Sequence, residues 1–79
     1  MKNRVKAERE FKEMTQDQLA QLVGVSRQTI HAIEHDRFIP STLLALKLSK
    51  VFKRKVNDLF YLEEFDWEIP VQTNTDKKK

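Results

Sequence analysis

The chain has 79 residues, 34% of them charged and 39% hydrophobic, with no cysteine and a formal net charge of +3. That length allows one small domain with a thin core. The missing cysteine excludes disulfides and thiolate zinc sites, and no apolar run approaches membrane-spanning length. The opening Met-Lys-Asn-Arg-Val lacks the apolar centre of a signal peptide, so the expected compartment is the cytoplasm. The net charge hides a division. Residues 1–55 carry 12 Lys or Arg and 6 Asp or Glu, net +6; residues 56–76 carry 6 acids and no base, net −6; Lys77, Lys78 and Lys79 add +3. A basic body suits a polyanionic partner, and the acidic segment belongs on the face away from that partner.

In chain order, residues 3–12 are expected to form a basic first helix capped by Asn3. Its apolar content is poor: Val5, Ala7 and Phe11. Thr15 then caps a second helix, and Gln18 three residues on completes a capping box. Leu19, Ala20 and Val23 recur there at helical spacing, with Leu22 beside them. Gly24, the only glycine, stands where a helix must end in a sharp turn and a residue tolerating positive φ is favoured. Ser26 caps a third helix, Ser26 to His35, whose apolar pair is Ile30 and Ile33. Two short helices joined by a three- to four-residue turn containing glycine form a helix-turn-helix unit. The outer face of the third helix carries Gln28, His31, Ala32 and His35, flanked by Arg27 and Glu34. Arg reads guanine and Gln reads adenine through paired hydrogen bonds, so such a face can address base edges in a major groove.

The loop Asp36-Arg37-Phe38-Ile39-Pro40 follows, and Ser41 caps a fourth helix over Thr42 to Phe52. Leu43, Ala45, Leu46, Leu48, Val51 and Phe52 are its expected core residues; Leu44 is surplus, hence exposed or at a subunit contact. Val56 to Phe60 gives a last short helical turn that closes the core with Leu59 and Phe60. From Leu62 to Val71, Phe65, Trp67, Ile69 and Val71 alternate with Glu64, Asp66, Glu68 and Pro70, the period of a half-buried strand. A single strand leaves its backbone groups unpaired. With no other candidate strand in the chain, the expected partner is the same strand of a second subunit. The expected dimer contacts are Phe65, Trp67, Ile69 and Leu44, with packing on the chain's own core as the alternative. Residues 72–79 read as a disordered tail.

The residues Gln16, Leu19, Ala20, Gly24, Val25, Ser26, Ile30, Ile33 and Glu34 together resemble the phage repressor and Cro type of helix-turn-helix protein, the Xre family. The run Val25 to Ile30, the Ile39-Pro40-Ser41 turn and the stretch from Leu43 to Phe60 look like a subgroup that includes a cytolysin repressor. The resemblance spans roughly residues 3–64. It implies an all-α fold: a five-helix, lambda-repressor-like DNA-binding domain over residues 1–61, to which residues 62–71 add a short C-terminal β-strand arm. It also implies that Arg9 pairs with Glu34, that Gln16 clamps a phosphate, and that Arg37 runs beside the sugar-phosphate backbone. Relatives usually have Leu or Ile at the position of Glu8, a departure for which Phe11 is the expected compensation. They often have Gly or Asn at Asp36 and Gly within Lys53-Arg54-Lys55.

His31-Ala32-Ile33-Glu34-His35 matches a His-x-x-Glu-His metallopeptidase pattern. The chain has only these two histidines, a catalytic zinc needs a third protein ligand, and the segment already fits another motif. No metal, no cofactor and no enzymatic activity are therefore expected. The reading is a sequence-specific regulator of transcription, a repressor binding a palindromic operator on double-stranded DNA as a homodimer. Arg27, Gln28, Thr29 and His31 are the expected base readers; Gln16, Ser26, Arg37 and Ser41 are the expected phosphate contacts, helix N-termini being anion sites. The alternative is an antitoxin-type DNA-binding protein that also sequesters a toxin. RNA binding is disfavoured, because no paired exposed aromatics form a stacking platform. The operator sequence depends on DNA shape as well as side chains.

Overall fold

The computed structural model describes residues 1–71; the tail expected over 72–79 lies outside the described residues. The elements run β1 (Lys2–Asn3), α1 (Val5–Phe11), α2 (Gln16–Val23), α3 (Arg27–Glu34), α4 (Thr42–Phe52), α5 (Val56–Leu59), β2 (Phe60–Tyr61) and a 3₁₀ turn (Glu64–Glu68). The five-helix architecture with a short C-terminal strand is as the sequence indicates, but the strand sits elsewhere than expected. It is Phe60–Tyr61, and it pairs antiparallel with Lys2–Asn3 of the same chain. None of these helices is long and apolar enough to cross a membrane.

Local chemistry sets the boundaries. The Oδ1 of Asn3 accepts the Val5 N–H at 3.0 Å, so α1 starts two residues later than expected and Asn3 serves strand and cap together. Thr15 and Gln18 form a reciprocal capping box, and Ser26 and Ser41 each accept a backbone N–H three residues on. Satisfying these otherwise unpaired N–H groups contributes about 1 kcal/mol per cap. The C-termini share one device. Gly24, Glu13, Asp36 and Lys53 all have positive φ. In each case the next N–H reaches back five residues: Val25 to Ala20, Met14 to Arg9, Arg37 to Ala32 and Arg54 to Ser49. This is the Schellman closure, in which only Gly24 escapes the steric cost of the left-handed region.

The core is one cluster. Val5, Leu19, Ala20, Val23, Ile30, Ile33, Leu44, Leu48, Phe52, Leu59 and Phe60 are all buried in it. Helix α4 enters it along the row Leu44, Leu48 and Phe52, spaced by four. Leu44 is therefore core, not an exposed or interface residue as expected, and Leu43 and Leu46, expected inside, face out at 66% and 54% exposure. A helix apolar on nearly every side has no phase of its own; the shape of the pocket formed by α1 to α3 selects it. Glu8 is buried at a core edge, where its carboxylate meets Arg54 at 3.0 Å. Phe11, the expected compensation, is 81% exposed.

The segment after β2 departs most from expectation. Residues 64–68 form a 3₁₀ turn instead of a strand. The Asp66 carboxylate accepts the Glu63 N–H at 2.7 Å, a local bond of the kind through which Asp competes with a strand ladder. The Met1 ammonium fastens the turn, 3.1 Å from Glu63 and 2.9 Å from Asp66. Phe65, Trp67, Ile69 and Val71 remain exposed.

Candidate nucleic-acid interface

The position of α3 is set by one buried carboxylate. Glu34, with no side-chain exposure, ends α3 and accepts three hydrogen bonds. Arg9 Nε donates to Oε2 at 2.6 Å, Arg9 Nη2 to Oε1 at 3.2 Å, and Gln16 Nε2 to Oε1 at 3.0 Å. Arg9 Nη1 also donates to the Met14 carbonyl at 2.7 Å. One ion pair thus ties α1, the α1–α2 turn, the start of α2 and the end of α3. The bond to Glu34 holds the Arg9 pKa above its usual value, against the opposing cost of burial. The pairing expected for Arg9 and Glu34 is present; the third member, Gln16, joins it. An amide nitrogen carries two hydrogens, so Gln16 can donate to Glu34 and still offer a second donor outward.

A second latch, from the start of the chain, holds the same C-terminal end of α3. Asn3 Nδ2 donates to the Ile33 carbonyl at 2.8 Å and to Asp36 at 3.2 Å, while Lys2 reaches Asp36 at 3.3 Å. Sequence reasoning did not find this role for Asn3 and Lys2, because the contacts span thirty residues or more. The one available signal was Asp36 itself, an acid where a neutral helix-ending residue is usual.

With its C-terminal end latched twice and its N-terminus capped by Ser26, α3 presents a defined face. At 3.6 residues per turn, Arg27, His31, His35 and Gln28 fall within an arc of about 100°, and all four are exposed. Ile30 and Ile33 point into the core. Thr29 lies off the arc. It is half-buried, and its hydroxyl is 3.0 Å from the Ser26 hydroxyl while its N–H is capped by Ser26 at 3.1 Å. Of the four expected base readers, the exposed face therefore brings together Arg27, Gln28 and His31, joined by His35. The two imidazoles stack with centroids 4.1 Å apart, and His35 Nδ1 lies 2.9 Å from the His31 carbonyl oxygen. Among the described residues, no three His, Asp or Glu side chains converge as a metal-binding group.

The expected phosphate contacts flank this face at different depths. Ser26 and Ser41 are exposed at the N-termini of α3 and α4, their hydroxyls engaged as caps. Arg37 is exposed just past α3. Leu44, expected at a dimer interface, is in the core, while Phe65, Trp67 and Ile69 lie exposed beyond β2.

A helix-turn-helix family model matches residues 5–59, the span from the first residue of α1 to the last of α5. The chain belongs to the Xre-type helix-turn-helix family. Within that family it is 50% identical over 64 residues to YgzD of Bacillus subtilis strain 168, named an uncharacterized HTH-type transcriptional regulator; the match covers 81% of this chain and 97% of that one. It is 47% identical over 64 residues to an HTH-type transcriptional regulator of Methanocaldococcus jannaschii, with the same coverage. A regulator of Archaeoglobus fulgidus is 42% identical over 69 residues, covering 86% of this chain and 97% of the relative. The Arg9–Glu34–Gln16 network and the α3 face lie inside the family's span.

Proposed function

We propose that this helix-turn-helix protein is a cytoplasmic, sequence-specific transcriptional repressor of the cytolysin-repressor type, binding a palindromic operator on double-stranded DNA as a homodimer. The observation that supports it best is the pairing of a rigidly held α3 with an exposed arc of Arg27, Gln28 and His31. A helix latched at its C-terminal end and capped at its start delivers its side chains to a groove at a reduced ordering cost. Arg27 supplies a pair of donors suited to guanine, and Gln28 a donor and an acceptor suited to adenine, with His31 beside them. Gln16, Ser26, Arg37 and Ser41 set the register on the phosphates.

The test is a binding comparison on an operator selected from random duplexes. Gln28→Ala loses about 1–3 kcal/mol on the selected site and far less on random DNA, the scale of one bidentate base contact. Gln16→Ala weakens both alike. Equal losses for Gln28→Ala on the two DNAs remove the base-reading role.

A further inference from the structure

Among the described residues, twelve large apolar side chains are exposed, and nine of them fall in two places. Ile39, Leu43 and Leu46 line the outer side of α4 and the loop before it. Tyr61, Leu62, Phe65, Trp67, Ile69 and Val71 belong to β2 and the arm that follows. The α4 side holds an open groove of about 200 Å³ whose walls include Met1, Ile39, Ala45, Leu46, Val56 and Phe60. The arm departs from the groove's own edge, since Phe60 lines it and opens β2. Neither feature covers the other: Leu46 is 54% exposed and Trp67 is 77% exposed.

Their charges are opposite. Past Leu46 the outward side of α4 carries Lys50, and Lys53 and Lys55 follow; all three are exposed. The arm has no base and sets Glu64 and Glu68, both exposed, among its apolar residues, beside Glu63 and Asp66 held by the Met1 ammonium. Two such features on one chain are self-complementary under a two-fold axis, where each copy can give and receive the same contact. We propose that a second copy of this chain seats its Phe65–Trp67–Ile69 segment in the α4 groove, with its acids against the partner's lysines, and receives the reciprocal contact. This rests on the homodimer proposed above and names its surface, which is groove and arm, not a continuous intersubunit sheet.

Sedimentation equilibrium on the full chain, on Leu46→Asp, on Trp67→Ala and on their equimolar mixture tests it. Both substitutions are at exposed positions, and circular dichroism checks that each variant keeps its helices. The full chain is expected to be dimeric, and each variant to raise the dimer Kd roughly tenfold or more, as expected for loss of an anchor residue. The mixture is expected to dimerise more tightly than either variant alone, because a heterodimer keeps one intact groove with one intact arm. A monomeric parent chain, unaltered variants, or a mixture no tighter than its components each overturn the proposal. Binding of a half-site duplex by the parent and Gln28→Ala separates this from the DNA reading. Selectivity on a half-site without dimers refutes only the interface, and dimers without selectivity refute only the base contacts.

Discussion

At the scale of single residues, Glu34 has the largest leverage on the proposed function without facing DNA. A buried ion pair gains little over a well-packed apolar pair, but removal of one partner strands the other charge, at about 3–5 kcal/mol. Small domains have only about 5–15 kcal/mol of stability in all. Glu34→Ala is therefore expected to depress the melting temperature severely, whereas Arg9→Met with Glu34→Leu recovers most of it. Thermal melts of the three proteins check this, and comparable losses in single and double variants contradict it. The Arg9–Glu34 pair was legible through the family resemblance. The latch from Asn3 and Lys2 to Asp36 was not, because no periodicity or spacing links residues so far apart. Leu44 shows the same limit: it is surplus to the core by sequence, and burial places it inside.

At the scale of elements, helix ends and the arm carry the testable consequences. Lys53 is held at φ +55° at the end of α4, a conformation costing roughly 1–2 kcal/mol outside glycine. Glycine is more flexible when unfolded, which offsets part of the relief. Lys53→Gly is expected to gain up to about 1 kcal/mol, a rise of about 4–8 °C in melting temperature for a domain of this size; a differential scan checks it. The arm responds to pH through its ionic fastening. Hydrogen bonding to Asp66, and then to Glu63, raises the Met1 ammonium pKa above 8.0. The Glu63 N–H, and then the Met1 ammonium, lower the Asp66 pKa below 3.8. The raised group stabilises docking fully below pH 8.0 and stops doing so as pH climbs through its folded value. The lowered group does so fully above pH 3.8 and stops as pH falls through its folded value. Trp67, the only tryptophan, is therefore expected to show constant fluorescence anisotropy between those limits and greater mobility on either side. A profile without these two edges contradicts the fastening. The capped N-termini and Gly24 were readable because caps are local. The arm misled because its alternation of acids and aromatics fits a strand, while the Asp66 carboxylate accepts the Glu63 N–H instead.

At the scale of the whole molecule, the division of charge governs how the protein meets DNA. The basic body carries the α3 face and Arg37, and the acidic arm follows β2 at the C-terminal side of the fold. Affinity is expected to fall with salt, by about 0.9 in log K per log salt for each phosphate neutralised. Arg37→Ala should reduce that slope by about one and weaken all sequences alike. Titrations from low to moderate salt read both, and an unchanged slope removes Arg37 from the phosphate contacts. By itself the sequence determined the helix-turn-helix, its caps, the polar face of α3 and the split of charge, because these depend on neighbours within a turn or two. Which side of α4 is buried, where the strand lies and what latches α3 depended on long-range packing. A helix apolar on several sides has no preferred phase until a pocket exists, and a two-residue strand has no pattern until its partner pairs with it.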